Sequence, residues 1–290
     1  MKNGVLFALL TAILFVTLEP VSKLIAGSVN PFAMTFWRFL IGSLILLPFA
    51  IVKIKKEKVK ITPLDLLKMA LLGVLCICIS MLSLQIAVKK ADTPSLIAII
   101  FSANSVFTIC LAALINKEKI TANKILALIL GVIGVVLCAD FSSGTNLDSV
   151  LLAVLAAVTF SLYTVISQKF TKKFGGLIQS SIVFLLGSLI LLVVLLCMKE
   201  DIYVPYDAKS LLTMLYLALF VTGLGYISYF KAIEKGGSIM ASLAFFAKPV
   251  LTPFATLLIN KITPEPKVFV SVLFIMAASY FAVYFKKKSS

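Results

Sequence analysis

The sequence predicts an all-α membrane protein whose ten transmembrane helices form two inverted repeats of five. Three observations lead there: an apolar composition, an internal match at a fixed offset of 145 residues, and lysines gathered in short clusters between long apolar runs. Apolar residues make up 61% of the 290-residue chain and charged residues 13%, against roughly half and a quarter in soluble domains. One water-soluble core could not enclose that much apolar surface. At the offset of 145, Val5-Leu6 recurs as Val150-Leu151, Ala8 as Ala153, Phe15 as Phe160 and Ser22 as Ser167. Gly42 through Leu47 recurs without change as Gly187 through Leu192, Met69 as Met214, Lys90 as Lys235 and Phe101 as Phe246. Scattered leucine matches are expected by chance in an apolar chain, but a gap-free register that also aligns Gly, Met and Lys points to duplication. Repeats in membrane proteins commonly face each other around a site near the bilayer midplane.

Runs long enough to cross a hydrocarbon layer of roughly 30 Å as helices fall at about 4–25, 31–52, 66–88, 93–115 and 122–140. The second set falls at about 148–170, 177–198, 210–232, 238–260 and 267–285. Pro31, Pro63, Pro94 and Gly236-Gly237 mark several of the connections. The first run is too long for the apolar core of a signal peptide and carries Glu19 and Pro20, so it is expected to be retained. This divides the chain into a first repeat at 1–140, a connecting loop at 141–147, and a second repeat with a basic tail at 148–290.

Lysine-rich short loops stay cytoplasmic. The N-terminus, alternate connections and C-terminus hold 18 lysines, the opposite connections hold 7, and Arg38 and Lys248 lie inside spans. Both termini are therefore expected in the cytoplasm. Five spans per repeat is an odd number, so the second copy must enter from the other side. The loops agree: residues 53–60 carry five lysines and one glutamate, whereas residues 199–209 carry two lysines against Glu200, Asp201 and Asp207.

The net charge of +15 marks membrane sidedness rather than a nucleic-acid face, because the lysines lie between apolar runs. All five cysteines sit inside apolar runs and there is no histidine. Cys76 and Cys78 form a C-x-C without partners, so they read as small buried hydrophobes, with no metal site and no cofactor.

Several local patterns resemble the EamA family of the drug/metabolite transporter superfamily over nearly the whole chain. They are Trp37-Arg38-Phe39, the Ala-rich ends of spans 3 and 8, Asn116-Lys117-Glu118-Lys119-Ile120-Thr121 after span 4, Gly131 to Val135 in span 5, and Lys248-Pro249-Val250 in span 9. The resemblance implies ten helices in two inverted repeats, with a site between the third and fourth helices of each repeat and the first helix. The sequence departs from the family pattern where Asn104 replaces the first proline equivalent to Pro249, and where no acid follows Asn260-Lys261 as Glu118 follows span 4.

Charged residues inside a membrane are costly and point to function. Glu19 and Arg38 each lie roughly 10 Å below the outer interface, at 1.5 Å per residue. Sharing a depth, they could pair as carboxylate and guanidinium fork, take part in substrate or proton handling, or snorkel separately. Lys248 falls near the midplane beside Pro249 and Pro253, where it either attracts an anionic substrate group or pairs with Glu19 or helix carbonyls. Asn104, the offset partner of Pro249, is expected across the midplane from Lys248. Gln85, Tyr163, Tyr226 and Tyr229 complete the candidate substrate-binding set, and Glu19 is the candidate for proton coupling. Ser80, Ser83, Ser102, Ser105, Thr108, Gln168 and Ser228 are weaker wall candidates, because such side chains often satisfy backbone or helix contacts. Gly131 and Gly134 read as points of close helix approach, and Trp37, Tyr280 and Tyr284 as interfacial anchors.

An enzyme would need an acid, base or nucleophile assembled at a reachable depth, and the chain offers no histidine, no paired intramembrane carboxylates and no nucleotide loop. A scaffold or receptor needs no polar midplane. The expected function is a secondary transporter of small organic metabolites, amino acids or related compounds, moving them outward across the cytoplasmic membrane by alternating access. Its expected partners are a small-molecule substrate and the lipid bilayer, with no nucleic acid, in a monomer or homodimer.

Overall fold

A computed structural model describes residues 2–115, 122–138, 146–246, 248–263 and 266–284. The Asn116 to Thr121 motif, residues 141–145 of the connecting loop and the basic tail at 285–290 lie outside the described residues. All regular structure among the described residues is helical. In chain order the helices are α1 (Gly4–Lys23), α2 (Pro31–Glu57), α3 (Pro63–Lys90), α4 (Pro94–Ile115), α5 (Ala122–Cys138), α6 (Leu147–Phe174), α7 (Gly176–Met198), α8 (Ala208–Ser238), α9 (Lys248–Asn260) and α10 (Pro266–Tyr284). Seven of these, α1 to α4 and α6 to α8, are long and apolar enough to cross a membrane.

Local chemistry sets the ends. Pro31, Pro63 and Pro94 each open a helix, where a missing N–H costs nothing and the fixed φ is already helical. Asn30 accepts a hydrogen bond from the Phe32 N–H at 3.1 Å, and Thr62 and Asp65 form a reciprocal capping box. Two helices outrun their expected spans: α2 continues past residue 52 to Glu57 and α6 past 170 to Phe174. The apolar run measures the lipid thickness, whereas the lysines that follow it favour helix and prolong it into water. Lys58, with φ of 49°, and Gly175, with φ of 80°, then stop these two helices in the left-handed region.

Several helices are broken inside the bundle, and the breaks recur between the halves. The helix α3 carries a π-helical stretch at Val74–Met81 and α8 carries one at Leu217–Gly225, nearly the same positions after the 145-residue offset. In α4 the helix is interrupted at Ala103, and in the second half a 3-10 turn at Leu243–Phe246 precedes α9. The expected single run at 238–260 is therefore two pieces. It starts at a sharp turn, where Gly237 has φ of 80° and the Ser238 N–H is capped by Gln168 Oε1 at 3.1 Å.

Packing repeats as well. The helix α1 lies against α8 and α6 against α3; α2 touches α8 as α7 touches α3; and α2·α7, α4·α9 and α5·α10 pair with each other. Exchanging the two halves leaves this pattern unchanged. Equivalent residues even meet: the Phe39 and Phe184 rings stack edge-on with centroids 4.9 Å apart, and the Tyr226 hydroxyl donates to Met81 Sδ at 3.3 Å. Glycine permits a close crossing of α3 with α7, since a Cβ on Gly73 would lie 2.7 Å from the Gly187 Cα. At the matching crossing a Cβ on Gly42 would lie 3.0 Å from Thr222 Cγ2. Gly131 likewise faces Val106 of α4, as expected of a close-approach glycine. Leu6, Ile13, Val52, Leu71, Leu196 and Leu258 stand exposed on the outside, which is the arrangement a helix bundle takes in a solvent of lipid tails.

Candidate functional site

The site begins with a bend in α1. Pro20 has no N–H to offer the Val16 carbonyl, which interrupts the helix at Thr17 and turns a short segment, Leu18–Lys23, toward the interior. Glu19 in that segment is fully buried, and its Oε1 lies 2.5 Å from Lys248 Nζ, itself fully buried at the start of α9. The ammonium also faces two aromatic rings, 5.3 Å from the centre of Phe101 and 5.9 Å from that of Phe245. Of the two expected partners for Glu19, the structure selects Lys248 and not Arg38. Equal depth gives no information about direction around a helix axis, and α9 packs directly against the bent segment of α1.

Arg38 has a different environment. It is 1% exposed, its Nε, Nη1 and Nη2 meet no hydrogen-bond partner among the described residues, and its Cζ sits 4.7 Å from the Phe39 ring. Tyr226, Cys76, Glu19 and Lys248 are among the ionisable groups in its surroundings. Glu19 Oε2 and Asn104 Oδ1 are also buried without a partner. Buried polar atoms are nearly always satisfied, so such a group of orphans marks a place where the protein alone does not complete the chemistry.

Asn104 opens the second half of α4. Its Nδ2 donates to the Phe101 carbonyl at 2.7 Å and its own carbonyl accepts from Ser161 Oγ at 2.7 Å. Together with Ser102, which donates to the Ala98 carbonyl at 2.6 Å, and Ser105, which donates to the Ser102 carbonyl at 2.9 Å, it draws off backbone acceptors and interrupts the helix without a proline. Tyr163, Tyr226 and Tyr229 are buried around Phe160, at ring-centroid distances of 5.9, 6.3 and 5.7 Å. Tyr229 shares a hydrogen bond of 2.8 Å with Thr164. Gln85 stands apart from this group and donates to Ser22 Oγ at 3.2 Å, tying α3 to α1. Gln168, Ser80 and Trp37 have structural duties: a helix cap, a bond of 2.9 Å to the Ala156 carbonyl, and a bond of 2.8 Å to the Ile202 carbonyl.

Two features escaped the sequence reading. Cys76, read as a plain hydrophobe, is buried beside Arg38, Tyr163 and Tyr226. Phe15, Phe39, Phe160, Phe184 and Phe245 join the tyrosines in a continuous aromatic lining. The available signal was that Phe15 and Phe160, like Phe39 and Phe184, are phenylalanines at equivalent places in the two repeats. A separate apolar cavity of about 480 Å³ lies to the side, bounded by Trp37, Ile41, Tyr203, Leu211 and Met214, and contains none of the charged residues.

Helices long and apolar enough to cross a membrane, with charged residues buried among them, fit the class of membrane transporters. The family follows from comparison. Residues 2–139 and 148–284 match the EamA-like transporter family, and the chain belongs to that family. It is similar to an uncharacterized transporter of Clostridium kluyveri, with 37% identity over 100% of this chain and 96% of the relative. It also resembles the uncharacterized transporter YyaM of Bacillus subtilis, at 24% identity over 80% of this chain and 77% of that protein. A third relative is the S-adenosylmethionine uptake transporter of Rickettsia prowazekii, at 26% identity over 59% of this chain and 56% of the relative. A protein crystal structure superposes with a TM-score of 0.74 at 16% identity over all of both chains, a likeness of fold.

Proposed function

We propose that this protein is a secondary transporter of small organic metabolites, amino acids or related compounds, working by alternating access in the cytoplasmic membrane. In this reading all ten helices cross the bilayer, as two inverted repeats of five bounded at about 1–140 and 148–290, with both termini cytoplasmic. The exchange-invariant packing and the Phe39–Phe184 and Met81–Tyr226 contacts support it, since equivalent residues touch only at an axis relating the two halves. The observation that carries the function is the buried group of Glu19, Lys248 and Arg38 between the broken helices α1, α4 and α9. Broken helices lining a polar centre are how transporters present ionisable groups and backbone to a substrate. In this reading Lys248 and Glu19 neutralise each other as a buried pair, and Glu19 is the candidate for proton coupling.

The test is flux in proteoliposomes of the purified chain. Accumulation against a gradient is expected to depend on pH for the native protein, and Glu19→Gln is expected to abolish that dependence. Flux of the native protein that is indifferent to pH would remove the coupling role of Glu19. Absence of flux for every metabolite tried would favour a scaffold or receptor. The expected direction is outward; inside-out against right-side-out vesicles decide it.

A further inference from the structure

Resting on the reading of this centre as the substrate site, its charges can be balanced. Among the described residues Glu19, Lys248 and Arg38 are the fully buried charged side chains at the centre. Glu19 and Lys248 cancel, being in contact at 2.5 Å. Arg38 remains, 1% exposed, with no acceptor among the described residues for any of its three side-chain nitrogens. Its guanidinium carbon lies 4.7 Å from the centre of the Phe39 ring. A cation over an aromatic ring recovers only part of what taking an ion out of water costs. A guanidinium is well matched to a carboxylate fork, but among the described residues neither oxygen of Glu19 is hydrogen-bonded to Arg38: Oε1 meets Lys248 and Oε2 meets no protein partner.

We infer that Arg38 is the anchor for a substrate of net charge −1, which narrows the amino acids and related compounds proposed above to those that are organic monoanions, with the carboxylate in the guanidinium fork and the carbon body against Phe39, Phe184 and Tyr226. Such a substrate makes the loaded centre neutral. A zwitterion leaves the centre at +1 and adds an ammonium beside two existing cations. A neutral sugar leaves Arg38 uncompensated. A dianion overshoots to −1. The two unpartnered acceptors, Glu19 Oε2 and Asn104 Oδ1, are served by a hydroxyl on the monoanion as well as by an ammonium, so the charge balance separates the classes.

Thermal unfolding of the purified full-length chain in uncharged detergent, at fixed ionic strength, tests this. The probes are formate, propionate and 3-phenylpropionate, with alanine and phenylalanine as zwitterions and ethylamine and phenethylamine as cations on matching carbon bodies. At least one carboxylate is expected to raise the midpoint, more than its zwitterion or amine does. Arg38→Gln is expected to weaken that binding by about tenfold or more, the loss of a charge-assisted hydrogen bond, and Arg38→Lys to keep the preference for the anion. The inference is overturned if a zwitterion stabilises as well as its monoanion, if Arg38→Gln binds carboxylate as the native chain does, or if no carboxylate, formate included, shifts the midpoint. Should Arg38→Gln fail to fold, the charge preference of the native chain decides alone. Carboxylate binding that needs Arg38 without flux of any compound keeps the anchor and removes the transport reading. Flux of a zwitterion or sugar indifferent to Arg38→Gln keeps transport and removes the anchor.

Discussion

Removing Lys248 alone leaves the Glu19 carboxylate charged where water does not reach. Lys248→Met is therefore expected to cost about 3–5 kcal/mol, the penalty for breaking a buried pair from one side, read as a lower unfolding midpoint in detergent. Adding Glu19→Gln removes the stranded charge, so the double variant is expected to recover most of the loss while remaining inactive in flux. Equal effects of the single and double variants would mean that the ion pair at 2.5 Å is not energetically coupled. The converse holds for Arg38, whose charge is uncompensated by protein: Arg38→Met is expected to match or exceed the native midpoint. Residues that a protein keeps at a cost in stability are characteristic of function. These roles were only half legible from sequence. That Glu19, Arg38 and Lys248 matter follows from their cost in a membrane, but which carboxylate meets which cation depends on helix rotation, and an apolar chain carries little periodicity to reveal it.

At the level of helices, the crossing of α3 and α7 at Gly73 and Gly187 brings backbone against backbone. Gly73→Ala would place a Cβ 2.7 Å from the Gly187 Cα and 2.7 Å from the Val183 carbonyl. Overpacking of that kind is expected to cost about 1–3 kcal/mol. Gly42→Ala, at the matching crossing of α2 with α8, first meets the Thr222 methyl at 3.0 Å, a side chain that can give way, so its effect is expected to be smaller. Parallel midpoints of the two variants check the difference. The ion pair between Lys90 and Asp148, 2.8 Å long with side chains 40% and 67% exposed, is in the class worth about 0–1 kcal/mol, and Lys90→Ala is expected to change the midpoint little. Helix starts were readable here because Pro31, Pro63 and Pro94 act locally. The breaks were not: Ala103 carries no breaking residue, and the interruption comes from Ser102, Asn104 and Ser105 competing for carbonyls.

For the whole molecule, the number of crossings decides between two topologies with opposite outcomes. Ten crossings from a cytoplasmic N-terminus return the C-terminus to the cytoplasm, and an odd count leaves it outside. A green fluorescent protein fused after Ser290 is expected to fluoresce, and alkaline phosphatase fused after Ser28 to be active. An active phosphatase after Ser290 would remove the inverted-repeat reading. In the proposed alternating-access mechanism the two halves rock about the line marked by Phe39–Phe184 and Met81–Tyr226. There the contacts are aromatic and thioether surfaces that can slide without breaking strong polar bonds.

The sequence by itself determined the helical membrane class, the doubling at 145 residues and the family, because each rests on composition, repeated spacing or motif order along the chain. It also identified Glu19, Arg38 and Lys248, the three fully buried charges of the centre among the described residues, since burial in lipid makes such residues conspicuous. Only the tertiary structure decided that Glu19 goes to Lys248, that Arg38 is left with aromatic neighbours, and that Cys76 and the paired phenylalanines line the site. Those are matters of azimuth and of helix breaks deep in the bundle. They are set by which surfaces pack against each other, and residues more than two hundred positions apart, such as Glu19 and Lys248, share no local pattern that could announce their contact.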